Sequence, residues 1–296
     1  MGNLITNIKK ELDLLASRKI EIDEVNSFGI ILGPYRNLTT LTASLLFLHP
    51  NCQVLNHAGE RIIGDSRLDF LESYSDQKFQ NFTRYALLIA RGGKRGNYGG
   101  SITLSHAFQD QTKMKKIYED SNISMRKEDV HCLLWKESQR VTNHIRDSKV
   151  DLEILLDKNP KLKFILPIRN PLDCAASNSG SGFANILPGV DSASSEKEVL
   201  KVILDEYVWF LKLEQQFPDH FYHYFAHQNG KAVLNGLANF LELEPRQTWL
   251  KKAGKAFIIK SKYSHQTQLY ERYKYLVNDL FQGFPEFCDD LLKFIR

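Results

Sequence analysis

The order of elements in this sequence predicts an α/β fold, a parallel sheet flanked by helices on both faces. Three observations carry that expectation. Residues 27–32 (SFGIIL), 130–135 (VHCLLW), 164–168 (FILPI) and 221–226 (FYHYFA) are short apolar runs that read as buried strands. Stretches of helical length separate them, and parallel strands need crossovers of that kind. The first run stops at Gly33-Pro34 and leads into a helical segment, giving strand, glycine turn and helix in succession.

Taken in order, residues 3–18 carry Leu4, Ile8, Leu12 and Leu15 at helical spacing, which predicts an amphipathic helix with these four on one face. Residues 39–48 (TTLTASLLFL) have helical length and close at His49-Pro50. Residues 82–90 fit either a helix or a strand. Residues 91–101 (RGGKRGNYGGS), with five glycines and three basic residues, read as a mobile loop. It serves either as a surface linker or as a cationic lid over an anionic substrate. Residues 151–156 are helical up to Asn159-Pro160, and 171–179 start a helix on Pro171. A long helix follows over 196–216, another over 231–243 before Glu244-Pro245, and a third over 266–280; a short one begins after Pro285. Neither an internal repeat nor an inter-domain linker interrupts the chain, so one domain spanning 1–296 is expected.

With 296 residues the chain is long enough to bury a core without disulfide or metal staples. Lys and Arg number 39 against 35 Asp and Glu, a formal charge of +4. That small excess suits an anionic ligand without calling for nucleic acid. Cys52, Cys132, Cys174 and Cys288 lie far apart with no C-x-x-C pair, so zinc and dithiol redox chemistry are not indicated and the thiols are expected reduced, as in a cytoplasmic protein. Apolar runs fall short of the ~20 residues that span a bilayer, and Lys9, Lys10 and Glu11 stand where a secretion signal needs an apolar stretch. Met1-Gly2-Asn3-Leu4-Ile5-Thr6 fits the short myristoylation pattern.

Two segments carry candidate chemistry. Gly33-Pro34-Tyr35-Arg36-Asn37-Leu38-Thr39-Thr40 can be laid on the phosphate-loop pattern G-x-x-x-x-G-K-[ST]. Gly33 and Thr40 match it; Leu38 stands for the second glycine and Thr39 for the lysine. The lost lysine disfavours a kinase or GTPase, yet a helix N-terminus still aims free N–H groups at an anion, with side-chain donors from Arg36, Thr39 and Thr40. The bland alternative is an ordinary capped helix. In the second segment Arg169 ends a strand, Pro171 starts a helix and Ser177 follows inside it. A charged Arg at a buried strand end needs a partner, either a structural Asp or a phosphate shared with Ser177.

This combination resembles the PAPS-dependent sulfotransferase superfamily, a P-loop-like α/β fold. That family reads [KR]-[ST]-G-[TS]-[TS] after its first strand, where this chain has Arg36-Asn37-Leu38-Thr39-Thr40 with His49-Pro50 behind. Its second motif, R-[ND]-P with a Ser eight residues after the Arg, is met by Arg169-Asn170-Pro171 and Ser177. Trp135-Lys136-Glu137-Ser138 occupies the position of a third, Lys-containing segment, and the resemblance runs from about Ile30 to Leu243.

It implies transfer of a sulfuryl group from 3′-phosphoadenosine 5′-phosphosulfate (PAPS) to a hydroxyl or amine, with side chains rather than a metal supplying the cations. Arg36, Thr39 and Thr40 would hold the 5′-phosphosulfate, with Asn37 and Leu38 in the same loop, and Arg169 and Ser177 the 3′-phosphate. Lys136 would approach the leaving oxygen, where charge develops. Lys262, in Lys260-Ser261-Lys262-Tyr263, stands where relatives bring a late basic loop. For the general base His57 is the first choice, Glu60 the second, and His106 a candidate from another branch. The implied partners are a nucleotide donor and an unidentified acceptor, with no nucleic acid and no membrane span; the oligomeric state is open. A catalytically inactive nucleotide binder on the same fold and, further off, a small-molecule kinase remain the alternatives.

Overall fold

The computed structural model describes residues 2–94, 96, 98–261 and 263–295, with the backbone alone for 2–6. Six strands form one sheet: β1 (Ser27–Ile31), β2 (Cys52–Asn56), β3 (Gly100–Ser101), β4 (Cys132–Lys136), β5 (Leu162–Ile168) and β6 (Phe221–Phe225). Their spatial order is β3-β2-β4-β1-β5-β6. All pairings are parallel except the short β2–β3 edge. This is the expected α/β sheet, and helices cover both faces.

Strand alternation sorts the side chains into two cores. Phe28 and Ile30 of β1, Trp135 of β4 and Phe164 of β5 pack under helices Asp76–Ala90, Pro171–Ser181, Glu196–Gln216 and Thr267–Leu280. Ile31, Val54, Leu134, Ile165 and Tyr224 point the other way, onto helices Thr39–Phe47, Gly230–Phe240 and Gln247–Ala256. Residues 82–90 resolve as helix. His49, closing helix Thr39–Phe47, is buried against Trp249 and its Nε2 lies 2.9 Å from the Glu244 carbonyl oxygen. It ties helix Thr39–Phe47 to the C-terminal layer.

The N-terminal helix Gly2–Ser17 is the expected amphipathic helix, with its apolar stripe turned outward. Amphipathicity alone would turn its apolar stripe inward, but Ile8, Leu12 and Leu15 are 52%, 60% and 54% exposed. Ion pairs on its other side decide the orientation: Lys10–Asp65 at 2.6 Å, Glu11–Arg67 at 2.8 Å and Asp13–Arg61 at 2.8 Å. Arg61 is buried, so without Asp13 it would be left as an uncompensated buried charge.

Within 91–101 the described residues are tied back at several points. Gly93 bridges Gly100, the Lys94 N–H donates to Gly99, and the Tyr98 ring lies 4.2 Å from the Arg61 guanidinium. Arg95 and Asn97 lie outside the described residues. No helix among the described residues is long and apolar enough to cross a membrane.

Candidate anion-binding cleft

In a parallel sheet the carboxyl ends of the strands open where the chain order reverses. Here β1 ends between β4 and β5, and a cavity of about 610 Å³ lies outside these ends. It is lined by Arg36, Leu38, Thr39, Thr40, His57, His106, Lys136, Arg169 and Ser177, along with Tyr35, Arg140, Phe183, Lys260 and Tyr263. Most of the residues singled out in the sequence therefore meet in one space.

The turn after β1 is tied down on its outer side. The Gly33 N–H donates to Thr142 Oγ1 (3.0 Å), Asn178 Nδ2 donates to the Tyr35 carbonyl (2.8 Å), and Arg169 Nη1 to the Arg36 carbonyl (3.3 Å). Gly33 has φ +88°, and a Cβ there would collide with Leu166, so glycine is required. Leu38 takes the left-handed conformation too, φ +61° and ψ 7°. It keeps a backbone geometry that glycine adopts readily. Thr39 and Thr40 then open helix Thr39–Phe47, where first-turn N–H groups have no intrahelical acceptor. The Leu38 N-cap supplies no side-chain acceptor either.

Asn37 does something different from its neighbours. It is fully buried and does not line the cavity. Its Oδ1 accepts from the Arg169 N–H and from the Tyr207 hydroxyl, both at 3.1 Å. The reason is register: between two residues of the loop that face the cleft, one must face the core. Asn37 thus joins the loop to the start of the Arg169 segment.

Arg169 follows β5 directly. Its Nη2 donates to Asp173 Oδ2 at 3.0 Å, so the structural-Asp partner exists, yet the side chain still lines the cavity and its Nε is buried without a partner. The Asp173 pair therefore leaves part of this arginine facing the cleft. Ser177 is two turns along the helix that Pro171 starts.

Lys136 ends β4, one strand over. Its side chain is 4% exposed, and burial lowers its pKa to about 8; Glu137 opposes that shift and Arg36 reinforces it. The ammonium lies 5.9 Å from the centre of the Tyr35 ring. A lysine held in this way is a cation without a full counter-charge.

His57 follows β2 with φ +64°. Its N–H donates to the Lys136 carbonyl (2.9 Å), and its own carbonyl accepts from Trp135 Nε1 (2.8 Å). Its Nδ1 lies 3.9 Å from Oε1 of Glu137, a carboxylate 1% exposed. Glu137 Oε2 accepts the Gly59 N–H at 3.0 Å, and a Cβ at Gly59 would fall 2.9 Å from that carboxyl carbon. Glu60 does not line the cavity; it pairs with Arg140 at 3.2 Å. His106, on a short 3₁₀ turn, faces the cavity from the β3 side. Lys262 lies outside the described residues, while its neighbours Lys260 and Tyr263 line the cleft.

Sequence reasoning assigned no role to Glu137, Asp173 or His265. The first two sit beside motif residues, and their burial was the missing signal. His265 stands in a polar stretch with nothing in the sequence to mark it. Away from the cleft, Glu24, Asp129 and His131 bring possible metal-ligand atoms within 4.8 Å of one another at the opposite ends of β1 and β4, on an exposed surface. All four cysteines are free thiols.

No family model and no curated protein matches the chain. Solved structures similar to it include sulfotransferase STF9 from Mycobacterium avium, at 14% identity over 96% of this chain and 80% of that one, with a TM-score of 0.44. Mouse sulfotransferase SULT7A1 complexed with PAP covers 96% and 94% at 10% identity and 0.45. A sulfotransferase from Alicyclobacillus acidocaldarius covers 93% and 100% at 12% identity and 0.45.

Proposed function

We propose that this chain is a sulfotransferase that moves a sulfuryl group from PAPS to a hydroxyl or amine acceptor. One observation carries the reading: a buried, incompletely neutralised lysine, Lys136, shares a cavity with two separate anion-binding elements. The helix N-terminus at Thr39 and Thr40, with Arg36, suits a 5′-phosphosulfate. Arg169, with its unpartnered Nε, and Ser177 suit a 3′-phosphate. Donors exceed acceptors throughout, so the residues present fit an anion carrying a group at each end.

In the transfer, the bond from sulfur to the phosphate oxygen breaks and a bond to the acceptor oxygen or nitrogen forms. Lys136 stabilises the charge growing on the phosphate oxygen. Its low-dielectric surroundings make that charge worth more than it would be in water. His57 takes the acceptor proton, with the buried Glu137 carboxylate 3.9 Å behind its Nδ1. His106 faces the same space and is the reserve base.

The inactive binder is the second reading, because Leu38 stands where a phosphate loop has its second glycine. The glycine-like φ of Leu38 supports the active reading over it. The test is titration with adenosine 3′,5′-bisphosphate and with ATP, each with and without Mg²⁺. Tight, Mg²⁺-independent binding of the bisphosphate is expected. Preference for Mg²⁺-ATP would instead make the chain a kinase, and bisphosphate binding without sulfuryl turnover from PAPS would make it a binder.

A further inference from the structure

Asp173 is 3% exposed and divides its carboxylate between two side chains. Oδ2 takes Arg169 Nη2, and Oδ1 lies 3.0 Å from Nε2 of His265. The His265 side chain is 4% exposed. Its Nδ1 lies 3.7 Å from Oε1 of Glu196, at the start of helix Glu196–Gln216, and its ring contacts Tyr270 edge-on and Tyr263 in a stack. His265 belongs to the irregular stretch between helices Gln247–Ala256 and Thr267–Leu280. Lys260 and Tyr263 of that stretch line the cleft, and the Arg169 guanidinium lies 6.0 Å from the Tyr263 ring.

Two consequences follow from this geometry. A buried Asp beside Arg169 would by itself cancel the charge that a phosphate needs. A second donor on Asp173 draws part of that negative charge away and leaves more of the Arg169 field for a ligand. The same hydrogen bond fastens the far end of the irregular stretch to helix Pro171–Ser181, and so holds Lys260 and Tyr263 on the Arg169 side of the cleft.

We propose that His265 is a positioning residue, a latch that acts through Asp173 to hold Lys260 and Tyr263 at the cleft and to keep Arg169 available to a phosphate. This rests on the reading of the Arg169 side as the 3′-phosphate site, and the experiment separates the two.

Wild type, His265→Ala and His265→Gln are titrated with adenosine 3′,5′-bisphosphate and with adenosine 5′-monophosphate. Each is also digested with trypsin, and cleavage after the exposed Lys260 is timed. Gln is included because its side-chain amide can return a donor near the Nε2 position. The alanine variant is expected to lose roughly tenfold in affinity for the bisphosphate and less than about twofold for the monophosphate. It is also expected to be cut faster at Lys260, and Gln should restore both. A wild type that binds the two nucleotides equally defeats the 3′-phosphate reading and with it the effect on Arg169; faster cleavage of the alanine variant alone would then uphold only the latch on the segment. If wild type prefers the bisphosphate but the alanine variant keeps that preference and its cleavage rate, the latch is overturned while the site reading stands. Equal losses for both nucleotides, or no rescue by Gln, also overturn it.

Discussion

His57 Nδ1 stands 3.9 Å from Glu137 Oε1, and that carboxylate is almost wholly buried. The separation is too long for a hydrogen bond and short enough for the charge to be felt. In the proposed transfer that carboxylate faces the positive charge the ring gains as it takes the acceptor proton in the transition state. Glu137→Gln keeps an acceptor for the Gly59 N–H and removes the charge. Turnover is expected to fall about 10- to 100-fold, against about 100- to 10,000-fold for His57→Ala. In a His57→Ala background the Glu137→Gln change should cost little more. Single-turnover rates of the four proteins test this, and independent, additive losses would separate Glu137 from the base.

Lys136 sets a pH dependence. Its pKa is lowered from the ordinary lysine value to about 8, mainly by burial. Below that pH the charge is present and anions are attracted; as pH rises through about 8 the free protein loses it. A bound anion favours the charged form, so binding near pH 8.5 should take up protons. Bisphosphate affinity is expected to weaken across this range in wild type and to be flat in Lys136→Met. Calorimetry in two buffers of different ionisation enthalpy measures the uptake directly.

The same burial has a cost in stability, with a definite sign. Between about pH 8 and 10.5 the unfolded chain holds the Lys136 proton more firmly than the folded one, so stability contributed by this group rises with pH there. At neutral pH the charged, buried lysine is a net burden of about 3 kcal/mol. Lys136→Met is therefore expected to fold more stably at pH 7, with a higher midpoint in urea, while losing ~100- to 1,000-fold in turnover. A midpoint that drops would mean the cation is satisfied in the folded state.

The strands at β1, β4 and β5 were legible because each is a run of mostly apolar residues buried on both faces, β6 because it is rich in aromatics, and most large helices because of their periodicity. β2 was not: Cys52-Gln53-Val54-Leu55-Asn56 holds too few apolar residues to stand out, and its burial comes from pairing with β4. Helix Gln139–Asp147 is mostly polar and was equally silent, though Thr142 and Gln139 are wholly buried. Within the cleft, the residue types of two motifs foretold which side chains converge. What the sequence could not convey was facing. Asn37 turns into the core between cleft-lining neighbours, and the Ile8 stripe turns outward because ion pairs outbid it.

Arg169→Ala separates the two partners of this arginine. Removing the side chain should weaken bisphosphate binding roughly 10- to 150-fold, the worth of a charge-assisted hydrogen bond in a partly buried site. The monophosphate should be much less affected. The change also strips Asp173 of one donor, leaving a buried carboxylate with His265 alone. A loss of stability is therefore expected alongside the loss of affinity. The double variant Arg169→Ala with Asp173→Asn should recover stability and not affinity, as read by urea unfolding and calorimetry.

Leu38 offers the sharpest separation of backbone from chemistry. A branched residue at φ +61° carries a strain of about 1–2 kcal/mol that glycine would not. Against this, glycine loosens the unfolded chain by about 0.5–1 kcal/mol. Leu38→Gly should therefore raise stability by up to about 1 kcal/mol. Because the loop already has glycine geometry, and its Tyr35 and Arg36 carbonyls are held by Asn178 and Arg169, the first-turn N–H groups should not move. The remaining effect is removal of an aliphatic side chain from the cavity wall, which gives an incoming phosphate freer approach. Bisphosphate affinity is expected to rise, by less than about tenfold. A fall in both affinity and stability would show that the Leu38 side chain holds the loop in shape, and that its left-handed backbone is supported by packing rather than strained against it.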